Sequence, residues 1–457
     1  MTKNPSSAGP RKGWDGPPVG IFWDQSLVWG LLCVETLGRM GIPFRLLGTS
    51  DICGGRLDDL RILLVPGGWA AHKVRALGET GKRRIAAFLD AGGAYIGFCG
   101  GAGMALSSPP ALHLAPIARM PLAERLPSAS GRINVCGSLS HPAWEDIPPE
   151  IPVSVWWPSQ FRWDAADCRS VRALALYSDP EPDFQVADLR LCDMDPNVSW
   201  PDMEKAYGIN LDPARIKGHP AIIETQRGRG RMVLSYAHLE TPGDDRGNQL
   251  LCNVLAYLEA QSKEAGKDAA EKFPPPDPVA PLEARDWEAV FRAGEAAADL
   301  ISFGEANLLW NWRKPWLLNW RRGTRGLEYG TLLVTLAHMT GLKDRLHGGA
   351  TRGGTQHKCS EKLREKVGGE TLGSGCTPHD RAAKLEKDTI EFCSLAKRLL
   401  LEEKIATQTG IVSKLGKVNE QVDTLRSALF GNKMNHGGLC RALFDLIDGM
   451  LLDLLRL

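Results

Sequence analysis

Several things are missing from this chain of 457 residues, and each absence narrows what it does. It has no apolar run of the length that crosses a bilayer, and no charged-then-apolar leader opens it, so a soluble, cytoplasmic protein is expected. Lys and Arg number 55 and Asp and Glu 54, a net charge of +1, which leaves no global electrostatic case for nucleic acid or an anionic membrane. Eleven cysteines occur without a single CxxC pair. An odd, scattered set argues against a secreted disulfide framework and suits a reducing compartment. No internal repeat is evident, and neither is a nucleotide or other cofactor motif.

What is present is ordinary globular composition, 43% hydrophobic and 24% charged, in a length that suits two or three domains. Residues 1–16 are polar and rich in Pro and Gly, and read as a loose tail. From residue 17 to 262 short apolar strands alternate with helical stretches. Strands are expected at 19–23, 43–47, 62–66 and 94–98, and helices at 24–40 and 82–90. That alternation predicts an α/β fold with a flavodoxin-like, doubly wound sheet. Further strands are expected at 132–136, 153–157, 174–177, 221–225 and 232–237, and a closing helix at 247–260. The acidic, Pro-rich stretch 179–216 reads as an insertion, one that would reshape or cover a site. Residues 263–282 form a charged and then Pro-rich linker, and 283–457 carry helical apolar spacing, a separate α-helical domain. Its last segment, 439–457, has the clearest amphipathic stripe, and the Gly-rich stretch 343–378 reads as a long loop.

The chemistry concentrates at two strand ends. Gly97-Phe98-Cys99-Gly100-Gly101 places a cysteine where a strand turns sharply into a helix, the nucleophile-elbow pattern, with small residues where the bend is tight. A helix N-terminus beneath a thiol favours the thiolate, which is the nucleophile. His238-Leu239-Glu240 follows a late strand and supplies a base and a group to orient it. Pro66-Gly67-Gly68 ends another strand. Gly68 and Gly100 are the natural backbone N–H donors for an oxyanion, with Gly67 beside them.

These three motifs together resemble the class I glutamine amidotransferase superfamily, and within it the domain at the N-terminus of eukaryotic biotin–protein ligases. The resemblance covers residues 18–261. It implies a Cys99–His238–Glu240 triad and cleavage of a small-molecule amide through a thioester. The chain departs from the pattern at Leu239, where the family usually has proline, and in the 179–216 insertion. Its C-terminal half also lacks a synthetase signature that would use ammonia. A second reading therefore stands beside the enzyme: a non-catalytic, small-molecule-binding or regulatory module whose helical domain binds a protein partner. Gly228-Arg-Gly-Arg invites comparison with a biotin-adenylate loop, but it directly precedes the strand leading to His238, where a basic Gly turn is expected.

Two weaker patterns remain. His357, Cys359, Cys376 and His379 have ligand chemistry suited to zinc, set against free side chains in a loop. Trp310, Trp312, Trp316 and Trp320 with Arg321 and Arg322 interleave aromatics and positive charge, which would stack bases or sit on a membrane. The competing reading is a helix and turn packing its tryptophans into the domain. Trp156, Trp157 and Trp163 would line the Cys99 crevice or fill core.

Overall fold

The computed structural model describes residues 14–162, 170–269, 280–348, 377–408, 418–431 and 437–457. It divides into two compact units, with the boundary between Pro274 and Pro275.

The first unit is an α/β sandwich. Its elements in order are β1 (Val19–Phe22), α1 (Val28–Arg39), β2 (Phe44–Leu47), α2 (Thr49–Cys53), β3 (Ile62–Val65), α3 (Ala70–Asp90), β4 (Ala94–Phe98) and α4 (Gly100–Ala105). There follow β5 (Ala129–Gly137), β6 (Glu150–Trp156), β7 (Val171–Pro180), β8 (Gln185–Val186), β9 (Leu189–Arg190) and α5 (Trp200–Tyr207). The unit ends with β10 (Pro220–Arg227), β11 (Gly230–Ser235) and α6 (Asp245–Glu264).

The strands join in the order β2-β1-β3-β4-β11-β10-β7-β5-β8-β9, with β6 paired to β5. The first five are parallel, in the flavodoxin-like order that the strand–helix alternation predicts. From β10 onward every pairing is antiparallel. The change of direction follows from the connection, because β10 and β11 are joined by a tight turn at Gly228, whose φ is +54°. A parallel neighbour would have needed a crossover helix.

Both faces of the parallel half are covered. Ile62, Leu64, Ala94, Ile96, Phe98 and Val233 pack into one core layer with Leu250, Val254 and Leu258 of α6. Leu63, Val65, Tyr95, Met232 and Leu234 face the other layer, with Leu77, Ile85 and Leu89 of α3. This strand-by-strand alternation explains why the strands read as continuous apolar runs. Each buried aliphatic side chain is worth about 1.5–3 kcal/mol.

Two local expectations need correction, and a third gains detail. The helix expected at 82–90, α3, begins at Ala70; it bends at Gly78 (φ 55°, ψ −166°), which hides the first part of the pattern. The 179–216 stretch, read as an insertion, is packed into the unit: Phe184, Val186, Leu211 and Ile216 are fully buried in the core. It is also clamped internally, where Arg215 donates from Nε and Nη2 to the two Glu204 carboxylate oxygens at 3.0 and 2.8 Å. The tail reading fails at Trp14, which packs on the core and donates from Nε1 to the Pro17 carbonyl at 3.1 Å; residues 1–13 lie outside the described residues.

The second unit carries α7 (Ala284–Ala306), β12 (Trp310–Lys314), β13 (Leu317–Trp320), α8 (Gly326–Gly348), α9 (Pro378–Gln408), α10 (Glu420–Phe430) and α11 (Gly438–Arg456). Leu443, Phe444, Ile447, Met450, Leu451 and Leu454 of α11 are buried, the stripe that its spacing predicts. The tryptophan-rich stretch is not helical. It forms an antiparallel hairpin in which Trp310 pairs with Trp320 and Asn311 with Asn319. Aromatic residues favour pleated, half-buried surfaces, and Pro315 sits in the turn. Trp310 is buried, donates from Nε1 to the Ile301 carbonyl at 2.9 Å and stacks on Tyr329, which also meets Phe392 and Phe430. The segment expected as a loop begins later than residue 343, because α8 runs to Gly348; residues 349–376 lie outside the described residues. Among the described residues, no helix is long and apolar enough to cross a membrane.

Candidate active site at the carboxyl ends of the parallel strands

The sheet brings the ends of β1, β3, β4 and β11 side by side. Cys99 follows β4 and caps α4 with φ 46° and ψ −101°, a left-handed conformation that side chains rarely adopt. The elbow holds it there through close backbone packing. The Cys99 N–H donates to the Ser235 carbonyl at 2.8 Å, and the Gly103 N–H donates to the Cys99 carbonyl at 2.8 Å. A Cβ on Gly97 would lie 2.7 Å from the Gly101 carbonyl, and one on Gly101 would overlap the Val65 carbonyl. The glycines of the motif are therefore steric requirements.

Gly67 and Gly68 meet this elbow. A Cβ on Gly100 would overlap the Gly68 carbonyl and lie 3.2 Å from the Gly68 nitrogen. Gly68 itself has φ +102° and faces the Gln25 carbonyl. Beneath it, the fully buried Lys73 donates to the Asp24 carbonyl at 3.1 Å and to Ser26 Oγ at 2.5 Å, pinning the loop after β1. A Cβ on Gly67 would sit 3.1 Å from His238 Cε1, so this glycine lets the imidazole close on the strand end.

His238 and Glu240 are completely buried, and His238 Nδ1 meets Glu240 Oε1 at 2.6 Å. The ring lies against Trp29, with centroids 4.9 Å apart, and Trp29 in turn meets Trp157 edge-on. The backbone is fixed as well: His238 N–H donates to the Ser154 carbonyl at 2.8 Å, and Thr36 Oγ1 donates to the Glu240 carbonyl at 2.8 Å. Leu239, the departure from the family pattern, is wholly buried in the core. Burial pulls the His238 pKa down. The Glu240 carboxylate, together with Cys99 as a hydrogen-bonding neighbour, more than offsets that and pushes it up to about 10. Nε2 is buried and makes no hydrogen bond of standard geometry, so the ring faces the sulfur without a closed contact. Catalytic hydrogen bonds are often long before substrate binds.

All six residues singled out from the sequence, Gly67, Gly68, Cys99, Gly100, His238 and Glu240, thus come together at the carboxyl ends of the parallel strands. Trp29 and Lys73 were missed, and nothing in their local sequence marks them; only the strand order brings their elements to the site. Trp157 reaches the crevice edge, whereas Trp156 is core, its Nε1 donating to Thr241 Oγ1 at 3.0 Å. Trp163 lies outside the described residues. So do His357, Cys359 and Cys376 of the zinc pattern, while the remaining member, His379, places Nδ1 2.8 Å from Asp286 Oδ1. No group of three metal-ligating side chains occurs among the described residues.

One family model agrees with part of the motif pattern. The family model described as biotin–protein ligase, N terminal, matches residues 58–108, the stretch that contains β3, the Gly67-Gly68 turn and the elbow. No curated protein matches the chain significantly. Similar solved structures include a protein described as part of a GMP synthase, from Thermoplasma acidophilum, at 14% identity, covering 55% of this chain and 99% of that one with a TM-score of 0.36. A ThuA-like protein from Bacteroides uniformis is 11% identical and covers 55% and 95%, with a TM-score of 0.35. A glutamine amidotransferase from Thermotoga maritima is 12% identical and covers 55% and 85%, with a TM-score of 0.31. The first unit of this chain is an α/β domain with a flavodoxin-like strand order, similar over residues 58–108 to the N-terminal domain of biotin–protein ligases.

Proposed function

We propose that the first unit is a cysteine-dependent amide hydrolase of the amidotransferase-like kind, acting through a Cys99 thioester. The observation that carries this reading is the buried His238–Glu240 pair at 2.6 Å, its other ring edge turned to a cysteine held at positive φ. Cys99 Sγ attacks the carboxamide carbon, and the oxyanion that forms is held by the N–H groups of Gly68 and Gly100. His238 passes a proton to the leaving nitrogen, ammonia departs, and the acyl group remains on sulfur. Water, deprotonated by His238, then attacks the thioester to release the carboxylic acid and restore the thiol. Glu240 holds the imidazole in the tautomer and orientation these transfers need. The mechanism calls on no metal or cofactor.

The test is the rate of Cys99 alkylation by iodoacetamide, followed by peptide mapping, with the exposed Cys136 and Cys192 as references in the same molecule. Wild-type Cys99 is expected to react at least about tenfold faster than either reference near neutral pH, and His238→Ala to remove the difference. Amides, glutamine first, would then be screened for ammonia release. A Cys99 no faster than the references would favour the non-catalytic module, with the helical unit engaging a protein partner.

A further inference from the structure

A cation sits beneath the Gly68 turn, and the chemistry proposed above leaves it aside. Lys73 is the fourth residue of α3 and is wholly buried. That is a poor place for a lysine on two counts. A buried ammonium costs free energy unless it is compensated, and a positive charge in the first turn of a helix opposes the macrodipole. The side chain also lies over the Phe22 ring of β1, with Nζ 5.4 Å from the centroid.

Three observations place this charge. The helix begins directly after the Gly67-Gly68 turn, with Trp69 as its N-cap. A Cβ on Gly68 would lie 3.7 Å from Lys73 Cε and 3.5 Å from Cδ1 of Trp29, the ring that lies against His238. On α1, the buried Cys33 feels both ends of the site: burial and then Glu240 push its thiol pKa up, and Lys73 acts in the other direction. Arg119, by contrast, is fixed by its bridge to Phe161 and lies over Gly103, farther along α4.

The charges of the site give this placement a use. Thiolate, imidazolium and carboxylate, from Cys99, His238 and Glu240, sum to one negative charge. When sulfur attacks a carbonyl, that charge moves to the carbonyl oxygen, toward the N–H groups of Gly68 and Gly100. A fixed charge in a water-excluded site acts there without reorganising, and at low dielectric it acts strongly. We propose that Lys73 is the buried counter-charge of this oxyanion, a positioning residue that stabilises the tetrahedral intermediate through the Gly68 turn without touching substrate. The inference rests on the reading of Cys99 as an activated nucleophile.

The experiment compares two reagents on the full-length protein. Iodoacetamide alkylates sulfur by direct displacement of iodide and forms no oxyanion. p-Nitrophenyl acetate acylates it: the bond from Sγ to the carbonyl carbon forms, the C=O electron pair moves to oxygen, and collapse expels p-nitrophenolate. Both consume the same thiolate, so an effect of Lys73 on the thiolate alone cancels in the ratio of acylation to alkylation. That ratio at Cys99, from peptide mapping, is divided by the same ratio at the exposed Cys136 and Cys192. The wild-type value is expected to exceed about ten, and to fall at least about tenfold in Lys73→Met and Lys73→Gln alike. Glutamine can still donate to the Asp24 carbonyl, so it separates the charge from the anchoring of the loop, and it serves alone if the methionine variant does not fold. A wild-type ratio near one, a ratio that neither substitution lowers, or one lost in Lys73→Met and kept in Lys73→Gln overturns the counter-charge alone. A wild-type Cys99 no faster than Cys136 with iodoacetamide overturns the nucleophile reading and the counter-charge with it.

Discussion

At the scale of single residues the site is an arrangement of backbone closeness and one buried ion pair, and both can be tested directly. Gly100→Ala forces a methyl group into the Gly68 carbonyl, and neither strand end can retreat from a parallel sheet. Overpacking of this kind costs about 1–3 kcal/mol, and urea unfolding of the variant should show at least that loss. The His238–Glu240 pair has a pH signature. A histidine whose folded pKa is raised to about 10, against about 6.5 unfolded, gives stability that is fully present below pH ~6.5 and is lost as pH rises through about 10. Glu240→Gln, which leaves the buried imidazolium unpaired, is expected to destabilise by about 3–5 kcal/mol at pH ~6. The gap in melting temperature between wild type and variant should narrow steadily across the alkaline range. A gap that is constant from about pH 6 to about pH 10 would show that His238 is neutral throughout.

At the scale of elements, what could be read from the sequence depended on whether a pattern was local. The strands ending in Gly67-Gly68 and Cys99, and the helix 439–457, are legible because burial on both faces, or along one stripe, writes itself into consecutive residues. The hairpin at Trp310–Trp320 was not, because Trp, Asn, Leu and Arg there suit either state and the tie to α7 is tertiary. The place of Arg119 was not either, since it depends on a bridge to Phe161 that no spacing announces. The hairpin's seat is open to test. The Trp310 ring fills the space over Gly304, so a Cβ there would overlap it. Gly304→Ala gains about 1 kcal/mol of helix propensity and yet is expected to destabilise by a net ~1–3 kcal/mol, in line with other overpacked cores. Adding Trp310→Leu should recover part of that loss, so the double variant should melt above the sum of the two single effects. Simple additivity would mean that ring and glycine are not in contact.

At the scale of the molecule, the residues assigned to chemistry fall in the first unit alone. Cys99, His238 and Glu240 come from β4 and the end of β11, and the hydrophobic layers around them are built from residues 19–258. The second unit has its own buried core, with the Tyr329, Phe392 and Phe430 rings together and a largely buried Arg426–Glu403 ion pair at 2.8 Å. A domain with a complete core carries its own folding free energy, and roughly 250 residues is ample to bury one. A fragment of residues 14–269 is therefore expected to unfold cooperatively by itself and to keep the iodoacetamide reactivity of Cys99 within about twofold of the full chain. Fast alkylation in the fragment, abolished by His238→Ala, would place the whole nucleophile apparatus in this unit and leave the helical unit free for binding. If the fragment folds but Cys99 falls to the rate of Cys136, the helical unit supplies something the site requires, and the search for a function must begin with both units joined.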